Sequence, residues 1–402
     1  MTYMNETSKW KMLLYLVLIQ FIIAFVARSI APLAILIGED LSLTAAQIGM
    51  FPSALFLGQS IVSIPSGMLV DKLGSKYMML VIIIMLSSAF FLLSMTKTFP
   101  FTLLLIIVAG IAYGASHPTT NRGIVYWFPL KDRGTAMGIK QMGVTVGSAC
   151  SALILLPIAN NFGWKVAVLY AALSLLMIGL ILYKLYYEPK DFFEGSKVKN
   201  EKHTFRVVIT LFKNKILLLI TICAMMLSGS QMILNTFIIL YAHHELQISL
   251  ILAGSLLIIA EIGGSAGRIV WGIVSDKIFK GNRIIVLLLI SIFVALTSSS
   301  ISFLTENVSF YLLATIVFLF GFAVSGFNGV WMNATTEIVD KKLAGISTGI
   351  SITFGSLGVV FLPPIFGKII DVTNDYTYGW LFVTSLMLIT SLLCWYMLKQ
   401  KR

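Results

Sequence analysis

The sequence predicts an all-α polytopic membrane protein, and three observations carry that reading. The chain is 58% hydrophobic and only 11% charged, with a mean hydropathy of +0.94. Soluble domains carry about a quarter charged residues, and a soluble protein of this composition would expose large aggregating patches. Twelve apolar stretches reach the length that a bilayer core demands, about 20 residues for about 30 Å at 1.5 Å each. The positive charges fall almost entirely on alternate connections between those stretches.

The first run starts at Met12. At about 25 residues it is longer than a signal-peptide core, and no small-residue cleavage site follows it, so it reads as a retained first helix. The expected spans of the first half are 12–37, 48–70, 77–96, 101–127, 134–158 and 164–187. Those of the second half are 216–242, 249–274, 284–304, 309–335, 345–370 and 379–398. The longest polar segment separates them, which divides the chain into 1–187, a linker at 188–206, and 207–402.

Lys and Arg set the orientation. With the N-terminus cytoplasmic, 22 of them lie on the cytoplasmic side, among them Lys72, Lys131, Arg133, Lys277, Arg283 and Lys341. The opposite side keeps only Lys97, Lys165 and Lys368. Both termini are therefore expected in the cytoplasm. The net charge of +12 is spread over short loops as a topology signal, which argues against nucleic acid as a partner. Cys150, Cys223 and Cys394 fall in separate apolar runs with no metal spacing or disulfide framework and read as small packing residues. No nucleophile–base pair, metal cluster or nucleotide-binding loop appears, so neither an enzyme nor a cofactor is expected.

The stretch GMLVDKLGSK at 67–76 returns in shortened form as GIVSDK at 272–277, each at the end of the second span of its half. Gly67 and Asp71 map onto Gly272 and Asp276 with a constant offset of 205, and GTAMGI at 134–139 echoes GISTGI at 345–350. A six-helix internal repeat is a transporter signature. The first stretch resembles the loop motif G-x-L-x-D-R/K-x-G-R-K of the major facilitator superfamily, with Ser75 in place of a basic residue. That resemblance extends over the whole chain and implies two six-helix bundles that move substrate by alternating access. It also implies a cytoplasmic gate of Gly67, Asp71, Lys72, Asp276 and Lys277. Gly67 is expected to let its helix approach a neighbour. Asp71 is expected to accept from the N-terminus of the eleventh helix, where the dipole is positive.

Ionisable residues within spans cost about 2.5–3.5 kcal/mol each on insertion scales and mark function by default. Arg28, Arg122, Lys140, Glu261 and Arg268 lie in such positions. Four cations against one carboxylate point to an anion as the missing partner, and Arg offers planar bidentate bonding to carboxylate or phosphate. Arg122 and Lys140 lie about 8–9 Å from the ends of their spans at 1.5 Å per residue, within snorkelling distance of the interface. Glu261 is the only carboxylate near a span centre and shares a helix face with Arg268. It reads either as a proton-coupling site, since burial favours a neutral carboxyl, or as a permanent partner of Arg28 or Lys140.

Segment 116–138, SHPTTNRGIVYWFPLKDRGTAMG, resembles the helix 4–5 region of the anion:cation symporter family. The matching positions are Pro118, Asn121, Arg122, Trp127–Pro129, Arg133, Ala136 and Gly138, with Asp132 in place of Glu. The resemblance implies a sugar acid, organic anion or phosphate as substrate. The Asp-Arg pair common in the first helix of that family is Ala27-Arg28 here. GRIVWGIVSDK at 267–277 is similar to a segment of oxalate:formate antiporters, in which the arginine, here Arg268, binds carboxylate. That family also has a lysine in its eleventh helix, and none lies mid-span here.

His117, Gln59, Gln141, Gln231, Asn235, Asn328 and Asn333 read as cavity lining or as helix–helix hydrogen bonds. The glycines of the fifth and eleventh helices, Gly134 to Gly147 and Gly345 to Gly358, are expected to pack between the halves. Pro363 and Pro364 are expected to bend the eleventh helix. The sequence thus leads to a monomeric secondary transporter of a small organic anion in a bacterial plasma membrane. Proton symport is the first expectation for coupling and anion exchange the second, with an exporter of neutral or anionic compounds as the alternative. The substrate set is Arg28, Arg122, Lys140, Arg268, Gln231, Asn235 and Asn328.

Overall fold

A computed structural model describes residues 6–129, 132–188, 214–339 and 344–400. In lipid every backbone N–H and C=O must find a partner within the protein, which leaves the helix as the local solution for apolar runs. The first half forms α1 (Glu6–Ala27), α2 (Ile30–Asp40), α3 (Ala45–Leu73), α4 (Ser75–Leu93), α5 (Phe99–Trp127), α6 (Arg133–Phe162) and α7 (Trp164–Leu185). The second half begins with α8 (Lys215–His244) and α9 (Leu250–Ile273), and α9 runs into a π-helical turn at Val274–Ile278. It continues as α10 (Arg283–Ser302), α11 (Phe310–Val324), α12 (Phe327–Glu337), α13 (Ala344–Gly355), α14 (Leu357–Thr373) and α15 (Tyr376–Gln400). Among the described residues they make 12 helical segments long and apolar enough to cross a membrane, the number the sequence predicts.

The chain divides into two compact units, Met1–Leu43 with Ala54–Lys199, and Thr44–Ser53 with Asn200–Arg402. The expected linker lies, beyond Glu188, outside the described residues. The first turns of α3, from Ala45, belong to the second unit, and α14 explains why. Asp371 accepts from the Ala45 and Ala46 N–H groups at 2.7 and 3.0 Å, placing a carboxylate on the positive end of α3. Pro363 and Pro364 cannot donate to the carbonyls of Val359 and Val360, four residues back. Ser53 Oγ supplies a donor there, 2.6 Å from Val360 O. Sequence periodicity shows none of this, because α3 and α14 are far apart in the chain.

In the first unit α1 packs along α6, and α4 packs on α5 and α7. A Cβ at Gly147 of α6 would lie 2.5 Å from Phe21 O, and one at Gly358 of α14 only 1.8 Å from Met225 O. These glycines therefore serve close packing inside their own units, where the sequence reading had placed them between the halves. Gly134, Gly138 and Gly349 have nothing within 4 Å of an added Cβ. The same holds for Gly67, so its expected close approach is corrected as well. Cys223 and Cys394 meet in the core of the second unit with sulfurs 3.9 Å apart, both as free thiols.

Three spans are interrupted. The first breaks between Ala27 and Ile30, the tenth between Val324 and Phe327, and the eleventh between Gly355 and Leu357. The break in the eleventh span, at Ser356, thus falls seven residues before Pro363. The prolines sit inside α14, where Ser53 compensates for their missing donors.

Candidate functional site

Arg28 follows the last residue of α1, so the helix break itself presents it. Ser29 Oγ bonds Val26 O at 2.8 Å, which keeps the opened backbone satisfied. Arg28 Nε donates to Tyr113 Oη of α5 at 3.2 Å. One turn on, the His117 ring stands edge-on to Tyr113 with centroids 5.4 Å apart. Lys140 of α6, 2% exposed, donates to Gln141 Oε1 at 3.4 Å, and both Lys140 and Arg28 lie within electrostatic reach of His117. Below this group Gln20 ties α1 to α5, donating to Ser116 Oγ at 3.4 Å and accepting from Thr120 Oγ1 at 3.0 Å. The structure therefore links Arg28 and His117 through Tyr113, whose hydroxyl an apolar reading of its segment passes over, and buries Lys140 in the same unit.

Arg122, expected among the substrate contacts, is engaged elsewhere. It pairs with the Asp71 carboxylate, and its Nε donates to Tyr126 Oη at 2.6 Å. A full positive charge on a neighbouring helix is a stronger partner for a carboxylate than the half-charge of a helix N-terminus. Arg133 donates to Phe128 O at 3.0 Å and Val125 O at 3.2 Å. It thereby closes the carbonyl end of α5, as a cation does at a helix C-terminus. Glu188, just beyond α7, accepts from the Lys76 N–H at 3.0 Å and caps α4. Burial raises the Glu188 carboxyl above its ordinary value, against the backbone hydrogen bonds of Lys76 and Ser75 and the charge of Arg122.

In the second unit the break in the tenth span is the organising feature. Ser325 O accepts from Arg268 Nε at 3.4 Å and from Asn328 Nδ2 at 3.1 Å, and Ser325 Oγ accepts from Gln231 Nε2 at 3.0 Å. An interrupted helix frees backbone groups that polar side chains then bind, and here the break brings three predicted residues together. Asn235 is buried one turn from Gln231. Glu261 is 3% exposed, two turns from Arg268. Asp276 and Glu337 both bind Arg283, the latter at 2.9 Å, and Arg283 Nη1 also donates to Ser275 Oγ at 2.8 Å. Lys72 and Lys277 are exposed. In the sequence Arg283 counts only among the cytoplasmic charges that set orientation, and Glu337 does not stand out.

Residues 16–363 match the sequence profile of the Major Facilitator Superfamily, and the chain belongs to that superfamily of transporters. It is a multi-pass membrane protein. It is 24% identical over 373 residues to the probable galactarate/D-glucarate transporter GudP of Bacillus subtilis (strain 168), covering 86% of this chain and 82% of that one. It is also 24% identical over 368 residues to a probable hexose phosphate transport protein of Chlamydia pneumoniae, covering 85% and 79%. The crystal structure of a variant of the nucleoside transporter NupG matches with a TM-score of 0.83 at 15% identity, over 96% of this chain and 99% of that one. That likeness is one of fold.

Proposed function

We propose that the chain is a secondary transporter, not an enzyme, that carries a small organic anion across the cytoplasmic membrane by alternating access, acting as a monomer and coupled to protons. The observation that carries this reading is the placement of Arg28 on Tyr113 beside His117, with Lys140 buried on α6 of the same unit. The six spans of that unit contain no carboxylate between their ends, so the unit supplies cations at a depth where charge is costly. The relatives named for a sugar diacid and a hexose phosphate support an anionic substrate of that size. Arg28 and Lys140 bind its acid group. Arg268, Gln231, Asn235 and Asn328 are the contacts the second unit offers, and Glu261 is the carboxylate available there for a proton. Arg122 belongs with Asp71 to the gate, together with Asp276 and Arg283.

The test is thermal stabilisation of the purified protein by sugar acids, dicarboxylates and sugar phosphates, repeated on Arg28→Ala and Arg268→Ala. Stabilisation by an anion that disappears in Arg28→Ala supports the reading. Stabilisation by neutral or cationic compounds alone replaces it with an exporter.

A further inference from the structure

The start of α8 and the half-span α13 enclose a groove of about 160 Å³. Its walls are apolar: Leu217, Leu218, Ile222 and Met225 from α8, Ile350 and Phe354 from α13. The one polar lining residue is Thr221. Its hydroxyl is already bonded to Leu217 O at 2.8 Å and to Ser351 Oγ at 2.9 Å. A sugar acid finds neither charge nor donor on these walls, so the groove is no part of the polar site described above.

The groove begins two residues into α8 and ends at Met225, about 15 Å along the helix from Lys215 at 1.5 Å per residue. That is the depth of one leaflet of a core about 30 Å thick. The leaflet is the one at the end of α8 that its Lys and Arg are expected to place in the cytoplasm. On the other flank of α8, α15 packs through Cys223 against Cys394 and through Met226 against Thr390. Lys215, Leu218 and Ile222 recur at i, i+3 and i+7, so they share the face of α8 that runs between α13 and α15. Leu218 and Phe354 are exposed, which leaves the groove open to its surroundings. At its outer end Lys215 Nζ donates to Tyr396 Oη at 3.3 Å and stands 5.6 Å from the centre of that ring. One turn on, Lys399 Nζ stands 5.4 Å from the centre of the Trp395 ring. Lysines and aromatic rings in this arrangement mark the headgroup level of a bilayer. The helices α8, α13 and α15 contain no Asp or Glu, so the mouth of the groove is positive with no acid of its own helices to offset it.

We propose that the groove holds one acyl chain of an anionic phospholipid whose phosphate lies on Lys215 and Lys399. The surrounding tails are as apolar as the groove, so a tail gains only packing contacts by entering it. Charge at the headgroup then selects the lipid. The tail lies against α13 just before the chain breaks at Ser356. Such a lipid is a resident ligand of the second unit, whatever substrate the protein carries.

The test is native mass spectrometry of the delipidated full chain, titrated in detergent with dioleoylphosphatidylglycerol or dioleoylphosphatidylcholine. The wild type is expected to retain one phosphatidylglycerol more tightly than phosphatidylcholine, by about fivefold for each lysine. Glycerol phosphate, which has the charge and no tail, is expected not to displace it. Lys215→Ala is expected to lower the preference about fivefold. Leu218→Trp, which fills the groove, is expected to lose the tightly held lipid and to keep the wild-type unfolding midpoint in lipid-free detergent. Where that variant does not fold, Lys215→Ala and Lys399→Ala, both at exposed helix ends, carry the test.

Equal retention of the two lipids by the wild type means an ordinary lipid coat and overturns the proposal. So does a preference for phosphatidylglycerol that is unchanged in Lys215→Ala and Lys399→Ala, and so does displacement by glycerol phosphate. A dimer in the same spectra that Leu218→Trp converts to a monomer gives the groove to a second copy of the chain, and overturns it as well.

Discussion

The turn around Asp71 and the turn around Asp276 begin from equivalent residues and end in different networks. In the first unit a single residue, Gly74 with φ +81°, separates α3 from α4. Asp71 binds Arg122, which comes from the fourth span, and α4 is capped from a distance by Glu188. In the second unit a π-helical turn and residues 279–282 precede α10. The longer turn lets Arg283 curl back on Asp276, seven residues earlier, and also hold Glu337 at the end of the fourth span. The cap on α10 is local, with Asn282 Oδ1 accepting from the Ile285 N–H at 3.4 Å. The repeat has kept the acid and exchanged its base. On the fourth span the charge is reversed, Arg122 in one unit and Glu337 in the other. A carboxylate at that point requires a cation nearby, and either neighbouring helix can supply it.

Six substitutions break or sharpen this contrast. Arg283→Leu is expected to have the largest effect of the charge substitutions, about 1–2 kcal/mol of stability, because it removes the cation shared by Asp276 and Glu337. The thermal unfolding midpoint checks it, and a midpoint equal to the wild type would show that the cluster is ornamental. Gly74→Ala follows at about 1–2 kcal/mol, since a side chain is strained at positive φ. Gly67→Ala is expected to be neutral or slightly stabilising, because it adds a methyl to an open helical position. Equal losses in the two glycine variants would contradict the geometry.

Asp71→Asn is expected to cost about 1 kcal/mol, a roughly fivefold change in an equilibrium. Asp276→Asn should cost less than about 0.5 kcal/mol, because Glu337 still holds Arg283. The reverse order, measured side by side, removes the distinction between the networks. Among the charged residues the smallest effect is that of Glu188→Gln. A carboxyl raised above its ordinary value of 4.5 in the folded state contributes stability that is present below that value and lost as pH rises. The melting difference between Glu188→Gln and wild type should therefore be near zero at pH 4 and grow in favour of the variant toward pH 8. A difference that does not vary with pH rules out this role.

Much of the architecture was legible because the bilayer enforces it locally. Twelve apolar runs of the required length can only be helices, and the repeat is visible in GMLVDKLGSK and GIVSDK without any tertiary knowledge. Arg28, Lys140 and Arg268 stood out because charge within an apolar run is costly wherever it points. Arg122 stood out for the same reason and led elsewhere, because its distance from the end of its span says nothing about which helix faces it. Tyr113 and Ser325 stayed hidden. A tyrosine or serine in a span is common, and its importance arises only when a break in another helix, or the end of one, comes within hydrogen-bonding distance.

The sequence by itself determined the class of protein, the number of spans, the duplicated halves and the cationic character of the first unit, since each follows from hydrophobicity and charge counted along one chain. Tertiary structure alone decided the partners. It set Arg122 on Asp71, gave Arg283 two acids, closed α3 with Asp371, answered the prolines of α14 with Ser53, and stood His117 against Tyr113 beside Arg28. Those choices depend on which helix faces lie together, and a hydrogen bond of about 3 Å is settled by that packing, to which the spacing of residues along the chain is blind.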